Sequence, residues 1–146
     1  DVESEDGVVG KGGTSRKHAE LLARYFVKYA NENDDFKINC KVLSKEEVNL
    51  DEMKKTVDNN GVIIARCFQD VEHYVLITKI DENFAYIFDP YYLEEDHYCN
   101  DEDVAIVLHE TFTHNRVVKL ERLFDESNKD FSLLKKSDRE VILINR

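Results

Sequence analysis

The sequence predicts an α+β domain in which helices pack on a central antiparallel sheet. Three strand-like segments follow one another, GVIIARCF at 61–68, HYVLITKI at 73–80 and FAYIFDPYY at 84–92, all rich in β-branched and aromatic residues. Their short polar connections suit hairpins, whereas parallel strands need long crossovers. Helical patterns come before these strands, and such segregation is typical of α+β proteins. The length of 146 residues suits one core, so we predict an arm or loop over 1–13 and a single domain over 14–146.

Two amphipathic helices are predicted ahead of the hairpins. The first follows Thr14 or Ser15, either of which can cap it. Its apolar residues recur at helical spacing: Ala19, Leu22, Ala23, Phe26 and Ala30. The second is predicted within 44–60, where a Ser44-x-x-Glu47 capping-box pattern precedes LDEMKKTVD. Between them, apolar and polar residues alternate from Phe36 to Val42, the period of a strand with one buried face.

The remaining segments are predicted around the three central strands. In the second and third of these, both alternating sets of side chains are largely apolar, which indicates cover on both faces and a central place in the sheet. Residues 93–103 form an acidic loop. The pattern of 103–114 leaves a strand and a short helix both open, and RVVKLERLF at 116–124 and REVILINR at 139–146 predict further strands.

Composition excludes several classes of partner. The chain has 31 acidic and 20 basic residues, a net charge of −11, so we expect neither nucleic acid nor an anionic membrane surface as a partner. No apolar run is long enough to span a membrane, and no secretion signal is visible. The three cysteines lack CxxC spacing, which disfavours a disulfide framework and a zinc site and favours a reducing cytoplasm. We expect no cofactor.

His73 and Asp89 are the candidate catalytic pair, because the predicted hairpin brings them close together. With three loop residues, 81–83, Ile80 faces Phe84, and the two side chains share one face as diagonal neighbours about 7 Å apart at Cα. A loop of two or four residues places them on opposite faces unless a bulge intervenes. The simpler interpretation is a strand-end histidine and a turn-initiating Asp-Pro.

The order of several short motifs resembles the bacteriocin-processing-peptidase-like family of papain-like cysteine peptidases. The motifs are Gly13-Thr14-Ser15 at a helix start, an apolar strand over Val62 to Ala65, His73-Tyr74-Val75, and Asp89-Pro90-Tyr91-Tyr92. The similarity covers roughly residues 10–92, with Asn115-Arg116 as a candidate continuation. It implies a papain-like fold, a peptide or protein substrate, His73 as the general base, and Asp89 as the residue that orients it.

The resemblance also implies a nucleophile that this chain does not show. In the family, the nucleophilic Cys begins an early helix, where the free N–H groups favour the thiolate, and a preceding Gln supplies an oxyanion-hole donor. Both lie upstream of the Gly-Thr-Ser helix, and residues 1–13 match neither. We therefore expect the Cys of a Cys-His-Asp triad to lie in an upstream or separate segment. The alternative is a non-catalytic, protein-binding relic of the same fold.

The cysteines within the chain are weaker nucleophile candidates. Cys67 lies six residues before His73, at the end of an apolar strand without a helix terminus. Cys40 fits the buried face of an alternating strand, and Cys99 lies among acids that blunt its reactivity. The acids around His97 and Cys99 do not match a calcium-binding loop, so we predict a solvated acidic loop and no metal site.

Overall fold

A computed structural model describes residues 14–33, 37–110 and 112–145. The predicted arm over 1–13 and the predicted start of the first strand at Phe36 lie outside these residues. The chain divides into two compact units, one ending at Cys40 and the other comprising Lys41–Arg146. Every residue of the candidate site lies in the second unit.

The first unit contains the helix α1, Arg16–Glu32. Ser15 is its N-cap, since the backbone N–H of His18 donates to Ser15 Oγ over 3.4 Å. Of the two predicted cap candidates, Thr14 and Ser15, the structure uses Ser15. The alanines of the predicted apolar stripe are buried, but bulkier side chains of α1 are exposed: Leu21, Leu22, Tyr25 and Tyr29.

A seven-stranded sheet is the framework of the described chain. Its strands are β1 Asn39–Ser44, β2 Val62–Gln69, β3 Val71–Ile80, β4 Phe84–Phe88, β5 Val104–Ile106, β6 Arg116–Lys119 and β7 Glu140–Asn145. Their spatial order is β1-β7-β2-β3-β4-β6-β5, with antiparallel pairing from β7 through to β5. The predicted α+β class with an antiparallel sheet is confirmed, and the predicted central strands are β2, β3 and β4.

The second unit adds two helices, and both differ in part from the prediction. The helix α2, Leu50–Asp58, is capped by Asn49, whose Oδ1 accepts a hydrogen bond from Glu52 N–H over 2.9 Å. The Ser44 pattern instead begins a single 3₁₀ turn over Lys45–Glu47. The predicted strand over 116–124 is wrong beyond Lys119, because Leu120–Leu123 forms the short helix α3. Its LERL sequence consists of strong helix formers.

The hydrophobic core lies on one face of the sheet, and the other face of β3 and β4 is only partly buried, so the cover predicted on both faces of these strands is incomplete. Side chains at alternate positions of β2, β3, β4 and β7 enter it, and those of α2 and α3 join them. Fully buried members include Met53, Ile63, Ala65, Ile77, Ile87, Val118, Leu123, Phe131 and Leu143. The candidate site lies at one end of this same core face.

None of the helices in the described part of the chain has the length and apolar character needed to cross a membrane.

Candidate functional site

His73 and Asp89 are joined by a side-chain hydrogen bond. His73 Nε2 lies 2.8 Å from Asp89 Oδ1. The side chain of Asp89 is fully buried, whereas that of His73 keeps 24% of its surface exposed. An ionised carboxylate only accepts hydrogen bonds, so Nε2 is the donor and Nδ1 is the remaining ring nitrogen. The imidazole is therefore oriented from the protein interior and accessible from outside.

A bulge in β3 places the two residues on one face of the sheet. Next to the turn, Lys79 pairs with Tyr86, whereas farther along Ile77 pairs with Ile87, so Thr78 is an extra residue between them. Without this shift, His73 and Asp89 would project from opposite faces. The Thr78 hydroxyl donates to the carbonyl of Thr113 over 2.8 Å, which holds the bulge from outside the hairpin. The register at His73 is thus the one predicted for a three-residue loop, but it results from the bulge at Thr78 and not from the loop length.

The backbone around Asp89 is fixed by hydrogen bonds on both sides. Asp89 N–H donates to Asn115 Oδ1 over 2.8 Å, and Asn115 Nδ2 donates back to the Asp89 carbonyl over 2.7 Å. Tyr91 N–H donates to Asp89 Oδ1 over 2.9 Å, so this oxygen accepts two hydrogen bonds. The second oxygen, Oδ2, is buried and has no hydrogen-bond partner among the described residues. Asp89 is consequently a rigid, buried acceptor.

Arg116 is a buried cation beside this pair. It is 1% exposed, and its Nη2 donates to the carbonyl of Tyr91 over 2.7 Å. In the sequence, Asn115-Arg116 was noted only as a candidate continuation of the resemblance, with no sign that either residue lies near Asp89. The pairing of β4 with β6, in which Ile87 faces Arg116, brings Asn115 into hydrogen bonding with Asp89 and places Arg116 beside it.

Cys67 lies directly across the β2–β3 ladder from His73. It is completely buried. Burial raises the pKa of the Cys67 thiol far above its ordinary value, and the charges of Asp89 and Asp130 raise it further. A reactive cysteine needs the opposite environment, with a helix terminus or a cation that favours the thiolate. Cys67 is therefore held as a neutral thiol beneath the histidine.

A cavity of ≈ 310 Å³ opens beside His73. It is lined by the turn after β2, the segment after β4 and Asp130: Gln69, Asp70, Val71, His73, Tyr91, Leu93, His97, Tyr98 and Asp130. The Tyr98 hydroxyl donates to Asp130 Oδ2 over 2.8 Å, and burial raises the pKa of this phenol. Tyr98 and Asp130 carry no sequence signal of this contact, because they are separated by 32 residues and share no motif.

Two carboxylates of the acidic loop form ion pairs with the protein's own cations, whereas its other acidic side chains, at 94–96 and 102, are exposed as predicted. Arg122 Nη2 lies 2.8 Å from Asp101 Oδ2 and 3.2 Å from Asp103 Oδ2, and Lys119 also bonds Asp103. Within residues 14–33, 37–110 and 112–145, no group of three or more acidic, histidine or cysteine side chains could hold a metal ion. Cys99 is exposed and Cys40 is partly buried.

Comparison with models of known protein families, with curated proteins and with solved structures gives no match to this chain.

Proposed function

We propose that this chain supplies the histidine and aspartate of a papain-like cysteine peptidase. In this proposal His73 is the general base and acid, Asp89 orients it, and the nucleophilic thiol comes from a segment upstream of Asp1 or from a separate chain. The observation that carries the proposal is the 2.8 Å hydrogen bond between His73 Nε2 and the buried Asp89. The resemblance of the hairpin motifs to the bacteriocin-processing-peptidase-like family supports it.

The geometry suits the chemistry of a thiol peptidase. Asp89 occupies Nε2, so Nδ1 is the nitrogen that takes the proton from the attacking thiol. The sulfur then forms a bond to the carbonyl carbon, and Nδ1 returns the proton to the amine nitrogen as the carbon–nitrogen bond breaks. Water hydrolyses the resulting thioester with the same imidazole as base. The negative charge of Asp89 stabilises the imidazolium that forms in both steps.

The surroundings of His73 are consistent with access for a peptide. The imidazole is partly exposed, and it lines the ≈ 310 Å³ cavity together with the exposed side chains of Val71 and Tyr91. Its walls carry apolar and aromatic side chains together with the ionisable groups of Asp70, His97 and Asp130, so it can contact both apolar and polar parts of a bound segment. The cavity is therefore the place where we expect substrate residues next to the scissile bond.

A non-catalytic, protein-binding relic of the fold is the second candidate. The observation that favours it is the state of Cys67, the cysteine opposite His73, which is buried as a neutral thiol. A relic retains the hairpin and the cavity but has no activated thiol. In that case the hydrogen bond between His73 and Asp89 serves stability alone.

The decisive experiment uses the protein encoded together with the sequence upstream of Asp1. We expect a cysteine at the start of an upstream helix, hydrolysis of fluorogenic peptides, and labelling of that cysteine by an epoxide probe selective for activated thiols. His73→Ala and Asp89→Asn should each reduce the rate by about 10³- to 10⁴-fold, as removal of a triad member does elsewhere. His109→Ala, at an exposed histidine, is the matched control and should leave the rate unchanged.

Two results would contradict the peptidase proposal. One is an upstream sequence that contains no cysteine together with no activity from any separate chain that binds this one. The other is hydrolysis that survives His73→Ala. Peptide binding without cleavage, and insensitive to Asp89→Asn, would instead support the relic.

A further inference from the structure

Four chemically active side chains form a row across four neighbouring strands. Cys67 of β2 faces His73 of β3 directly, and His73 bonds Asp89 at the end of β4. Ile87 of β4 faces Arg116 of β6, so Asp89, two residues beyond Ile87 on the same face, is the diagonal neighbour of Arg116. Asp89 therefore lies between the imidazole on one side and a guanidinium on the other.

Among the residues that the structure describes, none forms a direct ion pair with Arg116. Its Nη1 donates to the Asn115 carbonyl over 2.9 Å and its Nη2 to the Tyr91 carbonyl over 2.7 Å, while the buried Nε has no partner among the described residues. Burial lowers the pKa of the Arg116 guanidinium, and the negative charge of Asp89 opposes that effect. Because a buried cation is costly unless an anion compensates it, Asp89 and Arg116 compensate each other.

The hydrogen bonds connect Arg116 to His73 through a short path. Arg116 holds the carbonyl of Tyr91, and the N–H of Tyr91 donates to Asp89 Oδ1, the oxygen that also accepts from His73 Nε2. Because Nη2 donates to Tyr91 and Nη1 donates to Asn115, the guanidinium ties the Tyr91 turn to the backbone beside β6. Movement of Tyr91 would therefore change the position of the acceptor oxygen at His73.

We propose that Arg116 is a positioning residue for His73, acting through the charge of Asp89 and the backbone of Tyr91. Its importance for peptide cleavage rests on the proposed function, whereas its effect on the imidazole does not. Arg116 touches neither substrate nor reacting atoms in this role. It holds the Tyr91 backbone and the Asp89 carboxylate in place, so that the imidazole donates through Nε2 and leaves Nδ1 for the cavity.

The structure offers a matched control for this inference. Arg139 is also buried, at 5% exposure, and donates to two backbone carbonyls, those of Leu134 and Phe124. Its removal costs similar packing and hydrogen bonds but leaves Asp89 untouched. Any effect common to Arg116→Met and Arg139→Met is therefore one of stability, and an effect confined to Arg116→Met reports on the His73 site.

The experiment measures the His73 ring by NMR in this chain, labelled with ¹⁵N-histidine, at a fixed pH. In the wild type we expect nitrogen shifts of the Nε2–H form and a downfield Nε2–H proton that exchanges slowly with water. In Arg116→Met we expect exchange about tenfold faster, as for the weakening of one charge-assisted hydrogen bond, and a larger share of the Nδ1–H form. Arg116→Lys keeps the positive charge but replaces the two guanidinium donors by one ammonium group. The exchange rate of the Nε2–H proton should therefore rise by less than in Arg116→Met.

Wild-type behaviour of the His73 ring in a folded Arg116→Met protein would overturn the inference, as would an equal change in Arg139→Met. If Arg116→Met does not fold, Arg116→Lys tests the inference in its place. A wild-type exchange rate of the Nε2–H proton in that variant contradicts a positioning role for the Arg116 guanidinium. None of these measurements needs a thiol or a peptide. A failure of the peptidase proposal would leave the NMR result intact, and the reverse also holds.

Discussion

Cys67 and His73 are directly opposed in the β2–β3 ladder, with the thiol fully buried beneath the partly exposed imidazole. This relationship places sulfur beside a base without giving a nucleophile, because burial raises the thiol pKa. The neighbouring carboxylates act in the same direction. The three cysteines also differ in exposure: Cys67 is buried, Cys40 is partly buried and Cys99 is exposed, so we expect them to differ in reactivity.

We expect iodoacetamide to modify Cys99 first and Cys67 only after unfolding. Cys99 is exposed, whereas Cys67 is buried and its raised pKa keeps the thiol protonated at neutral pH. Mass spectrometry of peptides from native and urea-unfolded protein measures the order. Modification of Cys67 in the native protein as fast as that of Cys99 would mean that this end of the core opens readily.

Deletion of Thr78 should preserve the hydrogen bond between His73 and Asp89. The deletion removes the extra residue of the bulge, after which Ile77 still pairs with Ile87 and the faces on both sides stay as they are. Insertion of one alanine between Val75 and Leu76 should have the opposite effect, since it moves His73 to the other face. The downfield Nε2–H proton of His73 reports both outcomes, and its loss in the deletion variant would contradict this account of the bulge.

Asp81 should contribute to stability at neutral pH and lose that contribution in acid. Hydrogen bonds from Asn83 N–H, the Tyr86 hydroxyl and Phe84 N–H hold the pKa of Asp81 below its ordinary value. A lowered folded-state pKa gives stability that is present above the unfolded value of about 3.9 and is lost as the pH falls through the folded value.

Urea unfolding between pH 2 and pH 7 tests this contribution. Asp81→Asn should be less stable than the wild type at neutral pH, and the difference should shrink below about pH 4. Glu82→Gln, at an exposed carboxylate of the same turn, is the matched control. A difference between Asp81→Asn and wild type that is constant with pH would show that the carboxylate charge has no part in it.

Gly61→Ala should destabilise the fold by about 1–3 kcal/mol, the usual cost of forcing atoms into a packed site. A Cβ at this position would lie 2.5 Å from the Ile144 carbonyl oxygen and 2.7 Å from that of Thr56, both in the backbone. Asn60→Gly is the control, because Asn60 has a φ of 59° that glycine adopts freely. Thermal unfolding compares the two, and equal stability of Gly61→Ala and wild type would contradict the predicted clash.

Local patterns predicted the sheet well because they are repeated over whole strands. The β-branched and aromatic content of β2, β3 and β4 and their short polar connections predicted the central hairpins, and the order of elements predicted the α+β class. The Ser44 pattern predicted the start of α2, whereas the structure begins this helix after Asn49, which the pattern did not single out. At Lys119 the chain leaves β6 for α3, a change that the apolar spacing of 116–124 conceals.

The candidate site was less predictable, because its geometry depends on contacts between distant residues. The face shared by His73 and Asp89 depends on a bulge whose Thr78 hydroxyl bonds Thr113, 35 residues away. The sequence left two registers open for this reason. The support of Asp89 by Asn115 and of the Tyr91 turn by Arg116 depends in the same way on the pairing of β4 with β6. Such pairings are decided by the whole sheet rather than by a local motif.

β3 lies in the middle of the sheet, and this position affects whether the His73 site persists when the protein partly unfolds. β3 is the fourth of seven strands, with β2 and β4 on its two sides, whereas β1 and β5 are the edges. Amide protons of the edges exchange with deuterium through local fraying, but those of a central strand need a larger opening. Leu76 and Ile77 of β3 are paired with strands on both sides, so their amides should exchange slowest, and they anchor the strand end that carries His73 in partly open forms that have already lost both edges.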